Sequence, residues 1–248
     1  MAIVISDLHG NKLKCDAFLK HKPEEEHIII GDFFDSYHAS DEDIIETLKL
    51  AIDANATLLV GNHEFNYINN AHGYFICSGK RDNPIFSHYF NTHKDKFFAS
   101  IIRDDFLICH GGLSKKHGKM FDDLETANYF INDEYFKYVN SPVVPQTLSW
   151  IFDIGGIRGG RQDTSGVFWL TFGYEKYDKR FNQIVGHTPS EDIRMIDNYK
   201  KNHYDSIHVC VDSPKYHCFN TVTREIEDFM LDDYKDKDQM RRMIERKF

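Results

Sequence analysis

The stretch that decides the fold is AIVISDLHGN, residues 2–11, in which a short apolar run ends abruptly at Asp7 and is followed by His9. An apolar run of this length, bounded by turn-forming residues, predicts a buried β-strand. Short apolar runs alternate with helical stretches through the first half of the chain, which is typical of a layered α/β fold. We predict strands at 2–6, 27–31, 57–61 and 105–109 and helices at 11–21 and 41–55.

The later part of the chain is more varied. We predict helical pieces within 64–100, broken by a loop at 79–84, and a glycine-rich loop at 154–166. Residues 118–150 are rich in Tyr, Phe and Asn and predict a helical cap or insert. Further strands are predicted at 167–172, 182–186, 206–212, 216–222 and 224–230, and a solvated helix at 232–248. The length of 248 residues fits a single domain spanning 1–248.

Composition narrows the functions that the chain can have. The net charge of -9 argues against extended nucleic-acid binding, which needs Lys and Arg to displace counterions. No apolar run approaches the roughly 18 residues of a membrane span, and the apolar N-terminus lacks a basic leader, so we expect no membrane segment and no signal peptide. Five cysteines at irregular spacings, with no CxxC pair, indicate reduced thiols and a cytoplasmic protein.

A residue able to bind metal follows five of the apolar runs. These residues are Asp7, Asp32, Asn62, His110 and His187, and His9 adds a sixth. In sheets of this type, ligands gather just beyond the carboxyl ends of the strands. An Asp after one strand is commonly a helix N-cap or a turn former, but five strand ends of this kind are hard to explain by turn chemistry. Mixed Asp, Asn and His ligation suits divalent ions such as Mn, Fe or Zn, so the pattern predicts a metal centre.

Five sequence blocks carry a resemblance to a known family. They are Asp7-Leu8-His9-Gly10-Asn11, Gly31-Asp32-Phe33-Phe34-Asp35, Gly61-Asn62-His63-Glu64, His110-Gly111-Gly112 and Gly186-His187-Thr188. In order and spacing they resemble the signature blocks of calcineurin-like metallophosphatases, nearest the protein-phosphatase-like branch of bacteria and bacteriophages. The resemblance runs from residue 2 to about residue 190. It implies an α/β fold in which a β-sandwich of two sheets is flanked by helices, with the site at the strand ends.

The resemblance also implies two divalent metal ions, with Mn ahead of Fe, Zn, Ni and Co. Asp7, His9 and Asp32 would hold the first ion. The second would be held by Asp32, Asn62, His110 and His187, so that Asp32 bridges the pair. A hydroxide between the two ions would attack phosphorus in line. Two dications outweigh Asp7, Asp32 and this hydroxide, which leaves a net positive well for a phosphate group.

The roles of the remaining site residues are implied in the same way. His63 resembles the family's general acid, and an imidazole titrates in the range suited to protonating a leaving alkoxide or phenoxide. Asp35 matches the carboxylate that orients this histidine. The chain departs from the pattern at Ser36, where protein Ser/Thr phosphatases carry an arginine that grips phosphate. Arg158 and Arg161, among the glycines of the 154–166 loop, could supply that cation instead.

The expected activity is hydrolysis of a phosphomonoester, in a phosphoprotein or a small phosphorylated compound. The missing arginine at Ser36 keeps a phosphodiesterase or a dinucleoside-polyphosphate hydrolase open as an alternative, because the same metal centre serves both reactions. A non-catalytic binding scaffold is a third interpretation. The full set of ligands, together with His63 and Asp35, argues against it.

Overall fold

The computed structural model describes residues 1–36, 38–68, 83–141, 148–198 and 206–230. This part of the chain forms two sheets flanked by helices. The strands are β1 (Ala2–Ser6), β2 (Glu26–Ile30), β3 (Thr57–Leu59), β4 (Phe97–Phe98), β5 (Ser100–Arg103), β6 (Phe106–Cys109), β7 (Asn182–Val185), β8 (Arg194–Asp197), β9 (Ile207–Cys210), β10 (His217–Asn220) and β11 (Ile226–Asp228). The helices are α1 (Lys12–Lys20), α2 (Asp41–Asp53), α3 (Asn62–Phe65), α4 (Pro84–His93), α5 (Lys115–Gly118) and α6 (Leu124–Val139).

Parallel pairing sets the position of the strand ends. The first sheet has the order β11-β10-β1-β2-β3-β4, and β1, β2 and β3 pair in parallel. The second has the order β5-β6-β7-β9-β8, and β6, β7 and β9 pair in parallel. Neighbouring parallel strands end at the same edge of a sheet. The loops after β1, β2 and β3 therefore share one edge, and those after β6, β7 and β9 share another.

Alternation along the strands divides the core in two. Val4 on β1 and Ile28 on β2 belong to one buried cluster with Phe106 and Ile184 of the second sheet, so this cluster lies between the sheets. Ile3, next to Val4, belongs to a second cluster that includes residues of α1 and α2. Successive side chains of a strand point to opposite faces, which explains how one short apolar run serves both layers.

Helix caps fix where two of the site loops end. Asn11, the last residue of the opening stretch, accepts a hydrogen bond from the Lys14 backbone N–H at 3.1 Å and begins α1. Ser40 accepts one from the Asp43 N–H at 3.1 Å and begins α2, whose first turn is acidic. Such side-chain caps satisfy N–H groups that the helix leaves unpaired, and acidic residues there suit the helix dipole. The chain thus leaves the loops after β1 and β2 at defined residues.

The predicted two-sheet fold is confirmed, but three local predictions were wrong. Residues 167–172 form turns rather than a strand, because their backbone bonds locally, as from the Trp169 N–H to the Gly166 carbonyl, and to the loop at Gly111. The end of the predicted helical region, 64–100, forms β4, which pairs with β3, and the first residue of β5, which pairs with β6. Strand β8 was not predicted. The predicted tail helix at 232–248 lies outside the described residues, as does most of the 79–84 loop.

The segment at 118–150 is helical over the part that forms α6. This helix lies against β5, where the Asn132 side chain accepts from the Ala99 N–H at 3.0 Å and donates to the Ser100 carbonyl at 2.8 Å. Near its end, Tyr138 stacks on Phe65 with ring centroids 4.8 Å apart. Since Phe65 closely follows Asn62 and His63, α6 supports the loop after β3; a role as a cap over the site stays a prediction. In the described ranges no helix is long and apolar enough to cross a membrane.

Candidate active site

Six side chains converge at the strand ends. Asp7 and His9 follow β1, Asp32 follows β2 and Asn62 follows β3, while His110 and His187 follow β6 and β7 of the other sheet. The two clusters His9, Asp32, His63 and Asp32, His110, His187 each have potential ligand atoms within 4.8 Å of one another. Asp32 is common to both. Of the six predicted ligands, the clusters include His9, Asp32, His110 and His187, with the Asp32 carboxylate shared by both.

Asp32 is buried among imidazoles. Its Oδ2 lies 3.3 Å from Nε2 of His110, 3.7 Å from Nε2 of His63 and 3.8 Å from Nε2 of His9. Burial opposes its ionisation, but the charges of His110 and His63 outweigh burial and hold the pKa of Asp32 well below its usual value. Asn62 completes this side of the cluster, with its Oδ1 2.9 Å from Nε2 of His110. The carboxylate is thus ionised and available to cations from two sides.

Backbone carbonyls turn two of the imidazoles toward Asp32. Nδ1 of His9 lies 2.7 Å from the Asp35 carbonyl oxygen, and Nδ1 of His110 lies 3.2 Å from the Ile30 carbonyl oxygen. A carbonyl oxygen can only accept, so each Nδ1 carries the proton in these contacts. Nε2 is the nitrogen that faces Asp32, so it is the one that a bound metal ion would contact. This is the arrangement by which proteins orient histidines that bind metal.

Two further residues favour a bound cation. Burial lowers the pKa of His187 well below its usual value, and its Nε2 has no hydrogen-bond partner in the described part of the chain. Burial also raises the pKa of Asp7 to about 6, with the Asp32 carboxylate adding to the effect. Buried polar atoms without a partner are costly, as are buried carboxylates without positive charge. The donor set of carboxylate, amide and imidazole therefore fits divalent metal ions.

Several residues in the loops of the site have a left-handed backbone conformation. Asp7, His9, Asp32, Asp35 and His187 all have positive φ, between 43° and 67°. This left-handed region is uncommon for residues other than glycine and persists where the surroundings enforce it. The sequence pattern, an apolar run followed by Asp, Asn or His, does not predict this backbone conformation. Strain of this kind at five site residues indicates that the loops are shaped for the site.

Glu64 is the group that enforces part of this shape. Its carboxylate is fully buried and accepts backbone N–H groups from Asp32 at 2.7 Å, Phe33 at 2.8 Å and Phe34 at 3.1 Å. It also accepts from the Gly61 N–H at 2.9 Å. One side chain thus ties the loop after β2 to the loop after β3. Glu64 is in neither of the two clusters of potential metal ligands.

Glycines make room for two carboxylates. A Cβ atom on Gly61 would collide with Oδ1 of Asp32, and one on Gly186 would collide with Oδ2 of Asp7. Asp7 in turn accepts a hydrogen bond from the His187 N–H at 3.1 Å, so the ends of β1 and β7 meet here. The glycine before Asn62 and the glycine before His187 are therefore explained by close packing around the site.

His63 lies beside the cluster, held by a second carboxylate. Its Nδ1 is 2.8 Å from Oδ2 of Asp35, and its backbone N–H donates to Oδ1 of Asp32 at 3.1 Å. Nε2 then faces Asp32. Burial opposes protonation, but the charges of Asp32 and Asp35 outweigh it and raise the pKa of His63 to about 9. The pair has the geometry of an oriented proton donor.

The two candidate arginines differ in placement. Arg158 is half-buried, with Nε donating to Oγ1 of Thr171 at 2.9 Å and a terminal nitrogen donating to the His187 carbonyl at 3.3 Å. Arg161 is exposed. Ser36, which stands where the related phosphatases have arginine, accepts from the backbone N–H groups of His38 and Ala39 and so closes a turn. The geometry therefore places Arg158 beside His187.

Asp212 lies close to the site, although it is not among the predicted ligands. This residue follows β9, the next parallel strand after β7, and is buried. Burial and the neighbouring Asp7 carboxylate raise the pKa of Asp212 to about 8. The signal was present in the sequence, because Asp212 also ends an apolar run. Only the pairing of β9 with β7 shows that this run ends at the same edge.

Comparison with known proteins finds similarity in the part of the chain that contains the site. Residues 2–206, which include all six candidate ligands, match the family described as calcineurin-like phosphoesterase. The chain is 32% identical over 118 residues to a protein phosphatase 2A catalytic subunit of Dictyostelium discoideum, covering 45% of this chain and 38% of that protein. It is 31% identical over 125 residues to the serine/threonine-protein phosphatase 6 catalytic subunit of Drosophila melanogaster, covering 45% and 39%. These relatives are matched over less than half of their own length.

Solved structures share the fold. A cold-active protein tyrosine phosphatase superposes with a TM-score of 0.57 at 20% identity, covering 86% of this chain and 69% of that one. The cold-active protein-tyrosine phosphatase of a psychrophilic Shewanella species gives a TM-score of 0.52 at 19% identity, covering 86% and 71%. At sequence identities of 19–20%, these superpositions show a shared fold and nothing about shared activity. With the family match spanning most of the chain and the whole cluster, the chain belongs to the calcineurin-like phosphoesterases.

Proposed function

We propose that this protein is a metal-dependent phosphomonoesterase that uses two divalent ions. The observation that carries the proposal is the shared carboxylate of Asp32, which lies within 3.8 Å of imidazole nitrogens from three separate loops. Membership of the phosphoesterase family supports the reaction class. The substrate would be a phosphoprotein or a small phosphorylated compound. Four buried, free cysteines, Cys15, Cys109, Cys210 and Cys218, agree with a reducing compartment such as the cytoplasm.

The proposed metal ligands are drawn from the two clusters, with Asp7 and Asn62 added and His63 set apart. Asp7, His9 and Asp32 would hold one ion. The other would be held by Asp32, Asn62, His110 and His187. When bound, the ions would polarise a phosphoryl oxygen and lower the pKa of a water molecule so that it attacks near neutral pH. Manganese is the first choice for these donors, with Fe, Zn, Ni and Co as alternatives.

His63 would supply the leaving group with its proton. The Asp35 carboxylate accepts a hydrogen bond from Nδ1, which leaves the Nε2 proton of the charged ring facing the cluster. The pKa of about 9 keeps this proton on His63 at neutral pH. With the charge of Asp32 offset by bound cations, the pKa of His63 would fall toward the working range of a general acid.

Arg158 would orient the phosphate. Its guanidinium is held on the second-ion side by the His187 carbonyl and by Oγ1 of Thr171. An arginine held through Nε and one terminal nitrogen can offer the N–H groups of its other terminal nitrogen to a phosphate oxygen. It would replace the cation that Ser36 does not provide.

The substrate class is tested by comparing esters. After chelation and reloading with Mn²⁺, the protein should hydrolyse p-nitrophenyl phosphate with a higher kcat/KM than bis(p-nitrophenyl) phosphate, because a dianionic terminal phosphate gains more from a cationic site. A preference for the diester would replace the proposal with the phosphodiesterase alternative. Absence of turnover for both esters in protein that binds Mn²⁺ would favour a binding scaffold.

Substitution of His63 tests the proton donor. We expect His63→Asn to retain its metal ions and to hydrolyse phenyl phosphate roughly 10²–10⁴-fold more slowly, the usual loss for a general acid. The loss should shrink for 2,4-dinitrophenyl phosphate, whose leaving group needs little protonation. Steady-state kinetics on both esters with metal analysis make the measurement. An equal loss on the two esters would remove His63 from this role.

A pair of arginine variants tests the phosphate contact. Arg158→Ala should lower kcat/KM on a phosphomonoester by about 10–100-fold, the value of one charge-assisted hydrogen bond, with unchanged metal content. Arg158→Lys should recover only part of the loss, because Lys lacks the planar fork. Arg161→Ala, in the same loop but exposed, is the matched control and should change little. A larger loss in Arg161→Ala than in Arg158→Ala would reverse the assignment.

A further inference from the structure

The carboxylate that orients His63 is itself held by a second group. The Tyr67 hydroxyl donates to Oδ1 of Asp35 at 2.5 Å, while Oδ2 accepts from Nδ1 of His63 at 2.8 Å. Tyr67 is 2% exposed and Asp35 is 4% exposed, so the chain of contacts is shielded from water. Both oxygens of Asp35 are therefore occupied, one by the tyrosine and one by the histidine.

The position of Tyr67 is fixed by elements other than Asp35. Its backbone N–H donates to the Glu64 carbonyl at 2.9 Å, just after α3. Its carbonyl accepts from two side chains of α4, the Asn91 amide at 3.2 Å and the Ser87 hydroxyl at 3.4 Å. Its ring packs edge-on against Phe86, with centroids 5.8 Å apart. Helix α4 thus holds the residue that contacts Asp35.

We propose that Tyr67 is a positioning residue for catalysis, acting through Asp35 on His63. The proposal rests on the general-acid role given to His63 above. A carboxylate held at one oxygen only can rotate about its last bond, and the imidazole bonded to it turns as well. The Tyr67 hydroxyl prevents this rotation and keeps Oδ2 in line with Nδ1 of His63. Nε2 of His63 then stays directed toward Asp32, where the proposed substrate would bind. The hydrogen bonds that hold it are formed before the substrate arrives.

Tyr67→Phe removes the hydroxyl and keeps the ring that packs against Phe86. In the Mn²⁺-loaded enzyme, we expect kcat/KM for phenyl phosphate to fall by about three- to tenfold, part of the full effect of a general acid. The value for 2,4-dinitrophenyl phosphate should be nearly unchanged, as should the metal content. A purely structural role would lower both values together, so an equal loss on both esters overturns the proposal, as does no loss on either.

Two further variants make the result specific. Tyr135→Phe is the matched control, because the Tyr135 side chain is fully buried and its hydroxyl has no hydrogen-bond partner among the described residues. It should leave both esters unaffected. His63→Asn separates this proposal from the proposed function. If His63→Asn loses more activity on the poor leaving group while Tyr67→Phe does not, only the role of Tyr67 is wrong. If neither variant discriminates, the general-acid assignment itself is wrong.

Discussion

The site depends on the buried carboxylate of Glu64. By accepting four backbone N–H groups, it joins the loop that carries Asp32 and Asp35 to the loop that carries Asn62 and His63. Burial and the Asp32 carboxylate raise the pKa of Glu64, whereas the backbone N–H groups favour its ionised form. Hydrogen bonds to an ionised carboxylate are stronger than hydrogen bonds between neutral groups. These hydrogen bonds help to offset the energetic cost of the left-handed backbone at Asp32 and Asp35. The loops after β2 and β3 are therefore tied together through one side chain.

A second constraint is the balance of buried charge. Asp7 and Asp212 have raised pKa values because burial disfavours their charged forms, whereas the imidazoles of His110 and His63 keep Asp32 ionised. Two divalent ions would supply the positive charge that the first two carboxylates lack. Bound cations would let an acidic protein attract the phosphate ester of the proposed reaction. The cations, rather than the surface charge of -9, would set the local field.

Sequence and structure agree best where the chemistry is local. The apolar runs predicted the strands before Asp7, Asp32, Asn62, His110 and His187, and within each sheet parallel pairing brings the strand ends to one edge. Features that depend on long-range pairing were not predictable. The apolar residues 167–172 are buried in turns, and Asp212 joins the site only through the pairing of β9 with β7. Nothing in the sequence patterns showed that the Tyr67 hydroxyl would reach Asp35.

The central claim is that Asp32 bridges two metal ions. Crystals grown with Mn²⁺ and measured on both sides of the manganese absorption edge test it most directly. The account predicts two anomalous peaks flanking the Asp32 carboxylate, about 3.5–4 Å apart, as in other two-metal phosphoryl-transfer sites. One should lie beside Asp7 and His9, and the other beside Asn62, His110 and His187. A single peak, or peaks away from Asp32, in crystals of protein that hydrolyses phosphate esters would contradict it.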